Sequence, residues 1–458
     1  MKNSYKLLKH SMVAVGLGLV SGTVARGQSS DALIDKLVNK GVLTVDEAQE
    51  LRKEADDGFT AAYKSKSGMA DYVDAVRLNG DFRGRYDGIY KDAPGIVDRN
   101  RWRYRLRFGV TVDMFDDLEM GFRLGSGDLA GLSSSITGVD PISQNQSFQN
   151  NGAKKGIFVD LAYASWNPLK GPIWSTTTTI GKMENPFVFS DAVFDRDYTP
   201  EGVAQTVGYK LNSVHSFKGI GSAWALNEIS GSSLDPYFFG AQGRWNSEWN
   251  TKWLSTAGVA MFSVINRDKL GNTDVPNINV GNERVVMPTA TSPAPTYAFN
   301  TLVVDAGLTY TIVDGIPFYN TKFPITLAGD FANNNSAPND NMGYSVGVVF
   351  GKSGKRGLWD VAYRYKHIEA NVWYEEFLNS DSGSYYETAA TGPLVNSGQG
   401  AGYRPGTNIK GHEIKLQYSP FDALTLAATG YLLESVNPAP GTQGSDIVRL
   451  QLDAVLKF

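Results

Sequence analysis

Four arginines at alternate positions, Arg101, Arg103, Arg105 and Arg107, carry the first chemistry that can be read from this chain. Guanidinium groups stay charged and grip carboxylate or phosphate oxygens two at a time, so a row of them is an oxyanion-binding surface. Successive side chains of a strand point to opposite faces, which puts all four on one side of an extended segment. The intervening Trp102, Tyr104, Leu106, Phe108, Val110 and Val112 make the other side apolar. A helix would scatter the arginines round its circumference. Segment 76–86 repeats the pattern with Arg77, Arg83 and Arg85, beside Asp81 and the following Asp87, and Arg123 extends it onto a third segment. If the first two segments pair across 88–98, these eight arginines form a basic patch on one wall. They either attract anions or pair with acids on neighbouring strands or an infolded loop, and both can hold at once.

The counter-charge lies in residues 184–201. Glu184, Asp191, Asp195, Asp197 and Glu201 stand there against Arg196 alone. Phe187, Val188, Phe189, Val193 and Phe194 share the stretch, and they fit an anchored loop better than an exposed one. An acidic loop facing a basic wall would set up a transverse field that orders dipolar solutes. An ordinary surface loop is the alternative. Enzyme chemistry finds little support. The four histidines, His10, His215, His367 and His412, are isolated, and no nucleophile elbow, metal-spaced cluster or glycine-rich phosphate loop occurs. Paired acids stay open among the scattered carboxylates. We expect no enzyme, no cofactor and no metal.

The elements that must hold these residues are strands. From residue 76 to 458 the chain reads as sixteen amphipathic segments: 76–86, 101–113, 118–124, 157–165, 176–183, 203–211, 221–228, 237–245, 253–263, 302–312, 325–331, 344–350, 359–365, 410–418, 424–432 and 447–458. Short connectors at 115–117, 167–174, 247–251, 352–356 and 419–423 alternate with longer polar ones at 88–98, 129–155, 265–299, 369–407 and 434–445. A soluble sandwich gives no reason for that alternation. An outer-membrane barrel does, with periplasmic turns at one end and extracellular loops at the other. The expected fold is a transmembrane antiparallel β-barrel of about 16 strands with a short N-terminal helical segment, apolar face toward lipid and arginines toward an aqueous lumen.

The ends agree with export. Lys2, Lys6 and Lys9, a short apolar run from Met12 to Val20, and small residues before Gln28 read as a signal peptide over 1–27. Residues 28–57 have helical spacing, broken at Gly41, with Thr44 and Glu47 set as a capping box. Leu33, Ile34, Leu37 and Val38 make one stripe; Leu43, Ala48 and Leu51 make another. The pair is expected in the periplasm, joining copies of itself as a coiled coil, binding a periplasmic partner, or serving as a solvated spacer. A linker follows over 58–75. The last strand ends in Phe458, in the manner of a barrel assembly signal. The absence of Cys excludes disulfides and thiolate sites, and a net charge of −4 gives no sign of a nucleic-acid partner.

The order of parts resembles a family of outer-membrane porins from Gram-negative bacteria. The matching stretches are LIDKLVNKGVLTVDEAQELRKEA, LNGDFRGRYD, RNRWRYRLRFG, VDLAYASW, IGKMENPF and DRDYTPEGVA, spread over nearly the whole mature chain. The arginine-rich first strands are similar, more distantly, to phosphate-selective porins. The resemblance implies passive diffusion of small hydrophilic solutes, a surround of outer-membrane lipid, assembly as a homotrimer, and a third external loop folded inward as a constriction. The rival function is an adhesin or envelope tether with a blocked lumen.

Overall fold

Period-two alternation becomes sixteen long strands in the computed structural model of the chain. The structure describes residues 70–91, 97–128, 142–271, 281–286, 288, 292–386, 402–438 and 446–458, with positions 34, 37, 38, 44, 47–51 and 53 nearer the N-terminus. The chain divides into two units, 1–71 and 72–458. In the first, positions 47–51 are helical, and Thr44 and Glu47 cap one another. The Thr44 N–H donates to Glu47 Oε2 at 2.8 Å, and the Glu47 N–H donates to Thr44 Oγ1 at 3.3 Å. Ile34 and Ala48 are buried there, whereas Leu51 is exposed. The signal segment 1–27, residues 58–69 and most of 28–57 lie outside the described residues.

The second unit runs through β1 (Val73–Tyr90), β2 (Arg99–Met114), β3 (Leu118–Gly127), β4 (Gly156–Lys170), β5 (Trp174–Lys182), β6 (Glu201–Lys210), β7 (His215–Ala225) and β8 (Tyr237–Glu248). It continues through β9 (Trp253–Ile265), β10 (Phe299–Ile312), β11 (Phe323–Asn334), β12 (Met342–Gly351), β13 (Trp359–Ile368), β14 (Ile409–Phe421), β15 (Leu424–Ser435) and β16 (Ile447–Lys457). Each pairs antiparallel with the next. The last returns to the first, from Asp81 opposite Lys457 to Tyr90 opposite Val448, so the sheet closes and has no free edge. Outward positions such as Leu78, Phe82, Trp102, Leu106 and Phe108 are exposed apolar residues, while Asp81, Arg85, Arg103 and Arg105 between them are buried. A closed barrel is the strand architecture that satisfies its whole backbone in lipid.

All sixteen expected strands are present, with one clear shift. The seventh, expected over 221–228, is β7 and begins at His215. Its first half carries Lys218, Gly219 and Gly221, which give little apolar contrast, and pairing with β6 and β8 carries it instead. It ends where the Leu226 N–H bonds the Pro236 carbonyl at 3.0 Å. Connector lengths alternate except around the 335–341 loop, which is shorter than the 313–322 turn before it and no longer than the 352–358 turn after it. Tyr319 makes that turn a packed unit, with its ring 4.9 Å from Phe323 and its hydroxyl donating to the Lys352 carbonyl at 2.8 Å.

The connector over 369–407, expected as polar and extracellular, differs in its first part. Val372, Trp373, Tyr374, Phe377 and Leu378 are buried inside the barrel against Phe187, Val193 and Phe194 of the 183–200 loop and Trp224, Phe238, Phe262 and Phe299 of the wall. Burying an aromatic ring removes roughly 150–250 Å² from water, about 5 kcal/mol by transfer arithmetic before ordering costs. Several such rings can hold two loops in place. A buried ion pair ties in a third connector: Arg284 Nε donates to Glu375 Oε1 at 2.8 Å, with both side chains essentially sealed from solvent.

Candidate pore constriction

Strands β1 and β2 set their inward residues in rungs, with Asp81 opposite Arg107, Arg83 opposite Arg105, Arg85 opposite Arg103, and Asp87 opposite Arg101. Two rungs pair an acid with an arginine and two set arginine against arginine, so compensation also draws on acids of β16 and of two connectors. Asp81 accepts from Arg107 at 2.6 Å and Arg105 at 2.9 Å. Asp87, fully buried, holds Arg101 at 2.6 Å and Arg449 of β16 at 2.7 Å. Arg85 is fixed by Asp453 at 2.6 Å and Asp381 at 2.8 Å. Arg103 lies 3.8 Å from Asp87, and Arg123 pairs with Asp160 and, at 2.9 Å, Glu184. Arg77 stands apart near the short-turn end, where it meets Asp113 at 2.7 Å and Glu119 at 3.1 Å.

Arg83 is the exception. Its Nη2 donates to Asn145 Oδ1 at 2.7 Å, its Nε is buried without a partner, and it forms no ion pair among the described residues.

The 183–200 loop runs through the interior. On one side Val188 is held by Gln242 and Arg244, at 3.0 and 2.8 Å. In its middle Asp191 reaches Lys366 of β13 at 2.8 Å, and Lys366 also touches Glu413 at 2.9 Å. On the far side Asp197 meets Arg105 at 2.8 Å and Arg107 at 3.0 Å. Asp195 accepts the backbone N–H groups of Asp197 and Ser380, each at 2.8 Å, and its own N–H donates to the Phe377 carbonyl at 2.7 Å. The loop therefore bridges walls built from opposite parts of the chain.

Two spaces flank it. A cavity of about 440 Å³ is lined by Arg83, Arg85, Arg196 and Arg364 together with Asp191, Asp195, Asp197 and Asp381. A second, of about 410 Å³, is lined by Tyr163, Ser165, Thr179, Glu184 and Lys218 among others. Of the expected loop residues, Asp191, Asp195, Arg196 and Asp197 come together at the first cavity. Glu184 and Glu201 do not, because they stand where the loop leaves the wall; they bind Arg123 and, at 3.1 Å, Lys182.

Burial and neighbours set the loop carboxyls apart. Burial, reinforced by Asp197, pushes Asp195 up to about 7. Burial acts the same way on Asp191 and Asp197 but loses there, to Lys366 and Arg364 in one case and to Arg105, Arg107 and Arg83 in the other, so both lie below the usual carboxylate range. Asp381 is likewise buried, yet Arg85, Arg449 and Arg83 hold it well below that range.

Such a site sits in a recognisable family frame. A family model described as "Putative porin" matches residues 95–304, which include the arginine ladder of β2 and the whole inward loop. Over that span the chain is similar to the porin family. Among solved structures the porin-type barrel is similar to OprB of Pseudomonas putida, at 12% identity and a TM-score of 0.51, covering 88% of this chain and 97% of that one. It also aligns with a mutant of the Rh. blastica porin, at 9% identity and a TM-score of 0.41, covering 84% and 100%. None of the curated proteins matches. Family and fold point to a porin-type outer-membrane channel rather than an enzyme.

Sequence reasoning missed the partners supplied by later strands and by the connector after β13. Arg364, Lys366, Glu413 and Arg449 occupy inward positions, and the alternation used for β1 and β2 would have found them. Asp381 had no such signal. The apolar run VWYEEFL at 372–378, out of place in a polar loop, was the available hint.

Proposed function

We propose that this chain lets small hydrophilic solutes diffuse passively across the outer membrane, with the 183–200 loop as its constriction. The observation that carries this reading is the charged cavity of about 440 Å³ between the acidic loop and the arginine wall, left open beside an apolar core that packs the loops firmly. A fixed eyelet with charges on both sides selects by size and charge. Arg83 and Arg196, which have no ion pair among the described residues, are the cations there least tied to an acid and give it a modest preference for anions. The paired arginines brace the wall and the loop. In this reading the short turns are periplasmic and the long connectors extracellular, residues 1–27 are removed on export, the 28–57 helices lie in the periplasm ahead of the barrel, and the protein works as a homotrimer. Recording in a planar bilayer tests the function. Stable ohmic steps support diffusion, whereas folded protein that passes no current makes it an adhesin or tether.

A further inference from the structure

The outer wall of the barrel is indented at the short-turn end of β13. Trp359 Nε1 donates to the Phe318 carbonyl at 3.1 Å, and its ring packs on Tyr319 and Phe323 with centroids 5.7 and 5.5 Å away. Those contacts hold the indole toward the 313–322 turn. Beside it a groove of about 390 Å³ opens along the wall, bordered by Val361, Leu416, Tyr418, Leu426 and the small Ala428.

The turn that feeds into Trp359 is basic. Lys355 and Arg356 are exposed, and neither forms an ion pair among the described residues. The acid on the adjoining turn, Asp422, accepts the Arg356 backbone N–H at 2.8 Å. Gly354 and Gly357 have φ of +99° and +79°, which keeps the turn tight, and the turn leads directly into Trp359 at the border of the groove.

In a membrane this face of the barrel meets hydrocarbon, and the ends of its strands meet headgroups. We propose that the groove holds one acyl chain of an anionic phospholipid from the leaflet on the short-turn side, with its phosphate on Lys355 and Arg356. Arginine grips phosphate oxygens in bidentate fashion and lysine adds a point charge. Charge sets the preference, because a zwitterionic lipid with the same chains fits the groove but brings its own cation to the two basic residues.

Delipidated barrel in detergent, titrated with phosphatidylglycerol or with phosphatidylcholine of the same chains and read by native mass spectrometry, tests this directly. The unaltered protein should retain one phosphatidylglycerol in preference to phosphatidylcholine. Lys355→Gln with Arg356→Gln should weaken phosphatidylglycerol retention about fivefold for each charge removed, leaving phosphatidylcholine as before. Both changes lie in an exposed turn and spare the fold, which heat-modifiable electrophoretic mobility verifies. Ala428→Phe, which fills the groove, should lower retention of both lipids. Equal retention of the two lipids by the unaltered protein, or an unchanged preference in the double variant, overturns the site. Disulfide-linked oligomers of a Leu426→Cys variant in membranes would show a second copy covering the groove, and would overturn it as well.

Discussion

Asp197 meets Arg105 at 2.8 Å across the lumen, a contact between a loop after the fifth strand and the middle of the second. The same carboxylate reaches Arg107 at 3.0 Å, so one acid pins the far side of the loop to two rungs of the ladder. Removing one partner from a largely buried pair leaves the other charge uncompensated, which costs several kcal/mol when burial is complete. Asp197 is partly exposed, so Asp197→Asn should cost about 1–3 kcal/mol. The expected phenotype is a lower unfolding temperature and noisy, flickering conductance; quiet channels with unchanged stability would show that the contact does not anchor the loop.

Phe194 anchors the same loop by packing. Its ring lies 5.4 Å from Phe262 and 5.8 Å from both Trp224 and Trp373. Phe194→Ala should cost about 3–5 kcal/mol. The loss falls on the seating of the loop rather than on the strands. Conductance should therefore rise while the barrel still migrates as folded; a folded variant with wild-type conductance would mean that the loop does not set the bore.

Asp195 makes loop seating depend on pH. Its carboxyl titrates near 7 in the fold and near the ordinary 3.8 when unfolded, so between those values the folded protein holds a proton that the unfolded chain has released. Stability then falls as pH rises through that window and levels off above about 7. Thermal unfolding of the wild type should show this decline between about pH 4 and 7, and Asp195→Asn should flatten it. An identical slope in the variant would assign the decline elsewhere.

Orientation is open to a labelling test, because the chain has no cysteine of its own. A cysteine at Val286, exposed in the 266–298 connector, should react in intact cells, and one at Asn250 or Asp422 only after the envelope is opened. Positions 372–378 are unsuitable, being buried whichever end faces outward. The opposite labelling pattern would invert the assignment.

Phe458 is seated against the first two strands. Gly80 leaves room for its ring, which lies 6.3 Å from Phe108, and the Gly80 N–H bonds the Phe458 carbonyl at 3.1 Å. Deleting Phe458 should reduce folded barrel in the outer membrane, and normal levels of heat-modifiable protein would count against an assembly role.

The strands were legible because lipid outside and water inside impose opposite chemistry on alternate residues, and this marks most wall segments between β1 and β16. The seventh blurred where glycines replaced apolar residues. The acidic loop could be picked out because Phe187, Phe189 and Phe194 sit beside Asp191, Asp195 and Asp197. Which arginines remain free could not be read, since Arg85 is compensated by Asp453 and Asp381, and Arg105 and Arg107 by Asp197, through pairings between distant parts of the chain. Arg83 and Arg105 look alike in sequence, and what separates them is that Asp81 and the inward loop's Asp197 pair with Arg105, whereas Arg83 meets only Asn145.

That separation is what the account stands on. The reversal potential across a bilayer in a tenfold salt gradient measures it, with Arg83→Gln compared against Arg105→Gln. Arg83→Gln should lower anion preference while keeping quiet, stable channels, and the effect should be smaller at 1 M salt, where the Debye length is only about 3 Å. Arg105→Gln should disturb stability and noise more than selectivity. A reversal potential unchanged by Arg83→Gln in a stable open channel would contradict the account.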